Sequence, residues 1–399
     1  MEKKETIKFL LDEFRELEQS AENQRRRFMW KELAKSGRDQ FRPTPHADYS
    51  WKQGKIPFTA DLQNPTWAMI FDFELEKYYT DPETLIENYL KIMIYRFNNF
   101  HDDTFLLKQI PMWGTTVMEG SLFGKDYGFY KDKDPWLSHT PTVESMDDVY
   151  RFRENMPDFK KSGFMPRIIE CYEGSIELVD DDFEVLFPEW IRSVFGVGTY
   201  LRGYEDILVD LATESELSIE LLRLITDVRK KWFTELSGYL GKPVKKANLF
   251  NDEVYCPLLS PELYSACILP LEQELSEFHG GIHYWHSCGD VTKLMPEIVK
   301  IPNLDLFNCG PWTDVYTAGL VFREKCPLEI CMNPQSDILE GTAETMTARM
   351  FGLIDACRRS DVSGFGFKIS ALNMYKSLEY TLEQIKLWIN VTKKVINQT

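Results

Sequence analysis

Short apolar runs alternate with longer stretches of helical spacing over most of the chain. The runs that predict strands are IPFTADL (56–62), DTFLLK (103–108), PRIIECYE (166–173), KKANLFNDEVY (245–255), GGIHYWHSCG (280–289), LDLFNCG (304–310), PLEICMN (327–333) and SGFGFKIS (363–370). Helical patterns fill 82–98, 214–240, 261–279, 291–300, 314–326 and 341–359. Strand followed by helix, repeated, is the signature of a parallel sheet. Near-continuous apolar strands without two-fold alternation suit a sheet covered on both faces. The last five units are the most regular. The pattern leaves a closed eightfold barrel and an open doubly wound sheet both standing. No glycine-rich dinucleotide fingerprint or phosphate loop follows any run, which weighs against an open nucleotide-binding sheet.

Upstream, Ile7, Leu10, Leu11, Phe14 and Leu17 recur at helical spacing while the opposite face is almost wholly charged. Residues 1–50 are therefore expected to be a helical extension packed on a larger body. That body spans 51–399, with a turn-rich, aromatic insertion around 108–160.

Composition narrows the function classes. At 399 residues and 43% hydrophobic, the chain is long enough for a large core. Its 46 Lys and Arg against 63 Asp and Glu give a formal charge of −17, which argues against a nucleic-acid partner. No apolar run approaches the ~18 residues of a membrane span. The charged N-terminus lacks the apolar core of a signal peptide. Eight cysteines, spread from Cys171 to Cys357 without the spacing of a disulfide scaffold, read as reduced thiols. The expectation is a cytoplasmic enzyme.

Candidate chemistry clusters at the carboxyl ends of predicted strands, where α/β barrels carry their functional residues. These ends are Asn251-Asp252-Glu253, His286-Ser287-Cys288-Gly289-Asp290, Cys309-Gly310 and Cys331-Met332-Asn333. After the first, Ser260 is a plausible N-cap with Pro261 at the first helical position. His286 and Cys288 stand two apart, so in extended chain both side chains point to one side. Imidazole plus thiolate suits Zn²⁺, and a catalytic zinc needs about three protein ligands and one open position. Cys331 is the preferred third ligand, with Cys309, Asp252 and Glu253 as competitors. Asp252 and Glu253 are also candidates for orienting a ligand or supplying a proton. Cys171, Cys256, Cys267, Cys326 and Cys357 are assigned to packing. Among 10 Trp, 18 Tyr and 26 Phe, the residues Trp113, Tyr255, Trp285 and Trp312 lie near loops or strand ends. With Cys309, they are the candidate lining of a flat apolar substrate pocket.

The stretch 245–370 resembles the uroporphyrinogen decarboxylase superfamily, and within it the corrinoid-dependent zinc methyltransferase branch. LFNDEVYCPLLSPELY is similar to that family's D…SP-x-x-Y stretch, HYWHSCGD to its H-x-C-G-[DN] zinc motif, and MNPQSDILEGTAETM to its asparagine-proline turn and following helix start. Fainter similarity extends over 50–375. The resemblance implies a TIM (β/α)8 barrel with additional N-terminal helices. It also implies zinc on His286 and Cys288, a methylated small-molecule substrate and a separate corrinoid (cobalamin) protein as methyl acceptor or donor. A homodimer stays open. The family's third zinc ligand is a cysteine after the last strand. Here that position reads SGFGFKIS, which argues against methyl transfer to a thiol such as coenzyme M. The arginine-rich substrate arm of the decarboxylases has no counterpart in IPFTADLQNPTWAMIFDFE, so the decarboxylase-like lyase is the weaker alternative. O-demethylation of an aryl methyl ether is the preferred reaction.

Overall fold

The computed structural model describes residues 3–30, 51–131 and 133–399. Six strands form one all-parallel sheet: β1 (Phe58–Leu62), β4 (Ala247–Phe250), β5 (Ile282–His286), β6 (Phe307–Cys309), β7 (Leu328–Cys331) and β8 (Phe365–Leu372). Their order is β1-β8-β7-β6-β5-β4, and the chain enters each of β5 to β8 beside its predecessor. Two further strands, β2 (Gln109–Pro111) and β3 (Glu184–Leu186), pair in parallel with each other. The six-stranded ladder curls but is not continuous into that pair. Its edges reach the flanking segments through isolated hydrogen bonds: Asp103 N–H to Phe58 O at 3.0 Å, and Phe250 N–H to Ile191 O at 2.9 Å. No closed eightfold ladder forms among the described residues. What is present is an α/β fold with a curled parallel sheet.

Helices cover the outer face. Phe58 of β1 meets Trp388 of the helix Leu378–Gln398 at 5.7 Å, and Phe307 of β6 stacks on Phe322 of the helix Val315–Phe322 at 4.0 Å. The strand-to-helix turns carry the caps their sequences supply. Ser260 accepts from Leu263 N–H, Asp314 from Thr317 N–H and Thr342 from Thr345 N–H. The sequence expectation of a strand at 166–173 is corrected. Met165–Ile176 is a helix with Pro166 in its first turn, and its buried residues Met165, Ile168, Cys171 and Ser175 fall at helical spacing.

A second, separate apolar cluster includes inward-facing residues of the sheet: Trp30, Phe105, Ile191, Phe250, Tyr284 and Leu306. Trp30 follows the helices α1 (Lys3–Glu18) and α2 (Ala21–Phe28), and its indole N–H donates to Asp103 O at 2.8 Å. Because Asp103 is bonded to the first residue of β1, the extension meets the amino-terminal end of the strands. Within the stretch expected to be an extension, the described helices are Lys3–Glu18 and Ala21–Phe28, and 31–50 lie outside the described residues. No helix among the described residues is long and apolar enough to cross a membrane.

Candidate metal centre

Three donor groups converge at the carboxyl ends of β4 and β5. One donor atom each from Asp252, His286 and Cys288 lies within 4.8 Å of the others. His286 Nε2 stands 3.2 Å from Cys288 Sγ and 3.1 Å from Asp252 Oδ1. The second approach lacks hydrogen-bond geometry, so Asp252 Oδ1 is buried without a donor, and His286 Nδ1 likewise has no partner. Metal–ligand lengths of about 2.0–2.3 Å in a tetrahedral shell put donor atoms roughly 3.3–3.7 Å apart. The two separations from the imidazole are a few tenths of an ångström shorter, so nitrogen, sulfur and a lone oxygen need only a small outward shift to hold a divalent ion of borderline softness such as zinc.

Backbone contacts fix the cluster. Asn251 N–H bonds to His286 O at 2.7 Å and Cys256 N–H to Asp290 O at 2.8 Å, which binds the two ligand-bearing loops together. Ser287 Oγ donates to Val254 O and accepts from Gly289 N–H. A Cβ on Gly289 would fall 2.3 Å from Tyr255 Cβ, so only glycine admits this approach. Behind the loops, the buried carboxylate of Glu272 accepts from Asn251 Nδ2, Tyr264 OH and Trp285 Nε1 at 2.6–3.0 Å.

The electrostatics run through Arg192. Its NH1 donates to Asp252 Oδ2 at 2.7 Å and to Glu253 Oε1 at 3.3 Å. Burial disfavours the Asp252 carboxylate, but Arg192 and His286 outweigh it and hold Asp252 well below the ordinary carboxylate range. Burial and then the Asp252 charge raise Glu253 against the pull of Arg192. Cys288 is solvent-accessible on one side and enclosed on the others. The enclosure and the neighbouring Asp252 push its thiol far up. A bound cation reverses that preference, because a coordinated thiol is deprotonated.

The other sequence candidates separate. Cys331 is not among the atoms that meet. Asn308 Nδ2 donates to its sulfur at 3.1 Å, and burial together with Glu329 pushes its thiol up to about 11. Glu253 turns toward Tyr200, whose OH donates to it at 3.2 Å, and toward Gly196, away from the histidine and thiol. Trp285 and Cys309 face the helix layer. Trp285 donates to Glu272 and stacks on Phe307, and fully buried Cys309 lies against Thr313 O at 3.8 Å. Their expected place in a substrate pocket is corrected by the strand's two-residue period: Tyr284, His286 and Asn308 take the inward positions. Tyr255 lines the mouth against Gly289, Trp312 is 61% exposed in the loop after β6, and Trp113 packs edge-on against Tyr79. Arg192 and Glu272 escaped the sequence reading. Glu272 lies in ILPLEQEL (268–275), a run similar to the family but carrying no chemistry of its own, and Arg192 arrives through a bridge beside Phe250 that joins distant parts of the chain.

No family model matches the chain, and no curated protein matches it in sequence. A solved structure does: a methyltransferase from Methanosarcina mazei, with a TM-score of 0.58, 12% sequence identity and coverage of 85% of this chain and 94% of that one. The two share a fold. At that identity the likeness speaks for architecture, and it reaches across nearly the whole described body.

Proposed function

We propose that the protein is a zinc-dependent methyltransferase. In this reading it moves a methyl group from a methylated small molecule, preferably an aryl methyl ether, to a corrinoid protein at the mouth of a TIM barrel. The six-stranded sheet would supply most of that barrel, with β2, β3 and their flanking segments lying beside its two edges. The observation that carries the proposal is the meeting of Asp252, His286 and Cys288 at adjacent strand ends with an orphaned carboxylate oxygen between them. The HSCGD motif and the methyltransferase fold neighbour support it.

Asp252, His286 and Cys288 would hold the ion, which when bound supplies Lewis acidity toward the substrate's ether oxygen and makes it a better leaving group. Arg192 holds one carboxylate oxygen of Asp252 and leaves the other facing the imidazole and thiol. Glu253 shares Arg192 and keeps the guanidinium between two carboxylates. Cys288 is exposed, so a substrate would reach a bound ion from its side.

The test is metal content and methyl transfer measured together. Purified full-length chain should carry about one zinc per molecule and transfer a methyl group from a methoxylated aromatic to cob(I)alamin. His286→Ala should lose both. Metal retained by His286→Ala, or transfer by metal-stripped protein, would sink the reading.

A further inference from the structure

Inward-facing polar residues continue beside the ligand cluster. Trp285 pairs in the ladder with Phe307, and Phe307 with Leu328. One step on, His286, Asn308 and Glu329 therefore form a single row across β5, β6 and β7. Asn308 is fully buried and Glu329 is 2% exposed. Among the described residues, the donors that reach the Glu329 carboxylate converge on one oxygen: Tyr284 OH, Asn308 Nδ2 at 3.2 Å and Lys368 Nζ at 3.5 Å. The other oxygen, Oε2, is buried without a donor, and so is Asn308 Oδ1. Buried acceptors are normally satisfied, so two orphans in one row mark a place where something else donates.

Charge selects the kind of donor. Lys368, itself 6% exposed, already answers the Glu329 carboxylate, so the row offers no net charge to a cation. A neutral donor suits it. Cys331, the next inward residue toward the mouth, touches Asn308 and interacts with Cys288, which joins this row to the ligand cluster.

We propose that Glu329 Oε2, with Asn308 Oδ1 as a second acceptor, is a substrate subsite that takes a hydrogen bond from a neutral hydroxyl group. The hydroxyl belongs to the molecule whose methylated end meets Asp252, His286 and Cys288. The proposal rests on reading the concave side as a substrate pocket. For aryl ethers it selects hydroxylated rings over bare ones.

Calorimetric titration of the zinc-loaded full chain with 2-methoxyphenol and with methoxybenzene tests it. Wild type should bind the phenol tighter by about tenfold or more, the scale of one hydrogen bond to a charged acceptor. Glu329→Gln should cut that preference several-fold, leaving only what Asn308 Oδ1 supplies. The glutamine's amide oxygen stays where the three donors converge, and its NH₂ replaces the lone oxygen, so shape is kept and the acceptor is lost. The ratio of the two affinities within one variant is independent of how much of it folds. Equal binding by wild type, no binding of either compound, or a preference undiminished in Glu329→Gln overturns the subsite. A lost preference with methyl transfer to cob(I)alamin intact removes only the subsite. A preference kept without any transfer retains the subsite and removes the methyltransferase reading.

Discussion

The concave side of the sheet holds two polar clusters that adjoin at β5 and are satisfied in opposite ways. In the outer one, Asp252, His286 and Cys288 bring acceptor-rich atoms together at 3.1–3.2 Å, and the oxygen that faces the imidazole has no donor. In the inner one, Tyr284, Asn308 and Lys368 surround Glu329 with donors and leave a single carboxylate oxygen open. The difference is one of bookkeeping between donors and acceptors. Facing lone pairs ask for a cation, whereas a matched charge pair with one spare acceptor asks for a neutral hydrogen bond.

Removing a charge from the inner cluster should give the largest effect on stability and none on metal. Lys368→Met leaves the Glu329 carboxylate buried without its counter-ion, an error that costs about 3–5 kcal/mol. Urea denaturation of the metal-loaded protein measures it. The double variant Glu329→Gln with Lys368→Met should recover most of the loss, since a neutral pair removes the uncompensated charge. Zinc content should stay at the wild-type level in both. Loss of metal along with stability would show that the clusters are one unit.

A smaller effect, in the opposite currency, is expected at Arg192. Arg192→Gln removes the donor that fixes Asp252, and the zinc affinity should weaken by about 10–100-fold, the usual scale for a partner behind a ligand. Competition with a chromogenic chelator measures this directly. Arg192→Lys should restore part of the affinity, because a point charge replaces the guanidinium's grip on two carboxylates only incompletely. An unchanged affinity in Arg192→Gln would mean that the loop contacts alone set the orientation of Asp252.

How much of this was legible in the sequence depends on distance along the chain. His286 and Cys288 were readable because the two-residue spacing and the strand end are local facts. Asp252 was visible only as one of several competitors, since its approach to the imidazole depends on β4 lying beside β5. Arg192 was invisible, being 60 residues from Asp252 and joined to it by a single bridge. Trp285 and Cys309 lay at the expected strand ends, yet the direction of each depends on the phase of the alternation, which near-continuous apolar strands do not reveal. Of the fold, the five regular units from β4 to β8 correspond to five predicted runs. β3, at three residues, is too short to stand out. The helix Met165–Ile176 was mistaken for a strand because its adjacent isoleucines masked the helical period of its buried face.

The smallest expected effect concerns Cys331, which stands between the clusters and separates them chemically. Its thiol is pushed from the ordinary 9.0 up to about 11, first by burial and then by Glu329. The folded-state value lies above the unfolded one. Below pH 9 both states keep the proton, and the thiol adds no pH dependence. Between pH 9 and 11 the unfolded chain releases a proton that the folded chain retains, so stability falls as pH rises. By pH 10 the loss amounts to about 1 kcal/mol. Cys331→Ser removes this single contribution while the other cysteines titrate as before. The stability difference between wild type and Cys331→Ser should therefore shift against wild type by that amount between pH 8 and pH 10, measured by urea denaturation in the presence of zinc. A thiolate bound to zinc would behave in the opposite sense: the folded chain has already lost the proton, the unfolded chain still releases one around pH 9, and wild type would gain about 1 kcal/mol on Cys331→Ser between pH 8 and pH 10. The direction of that difference thus decides whether Cys331 belongs with the ligands or with the hydrogen-bonded row beneath them.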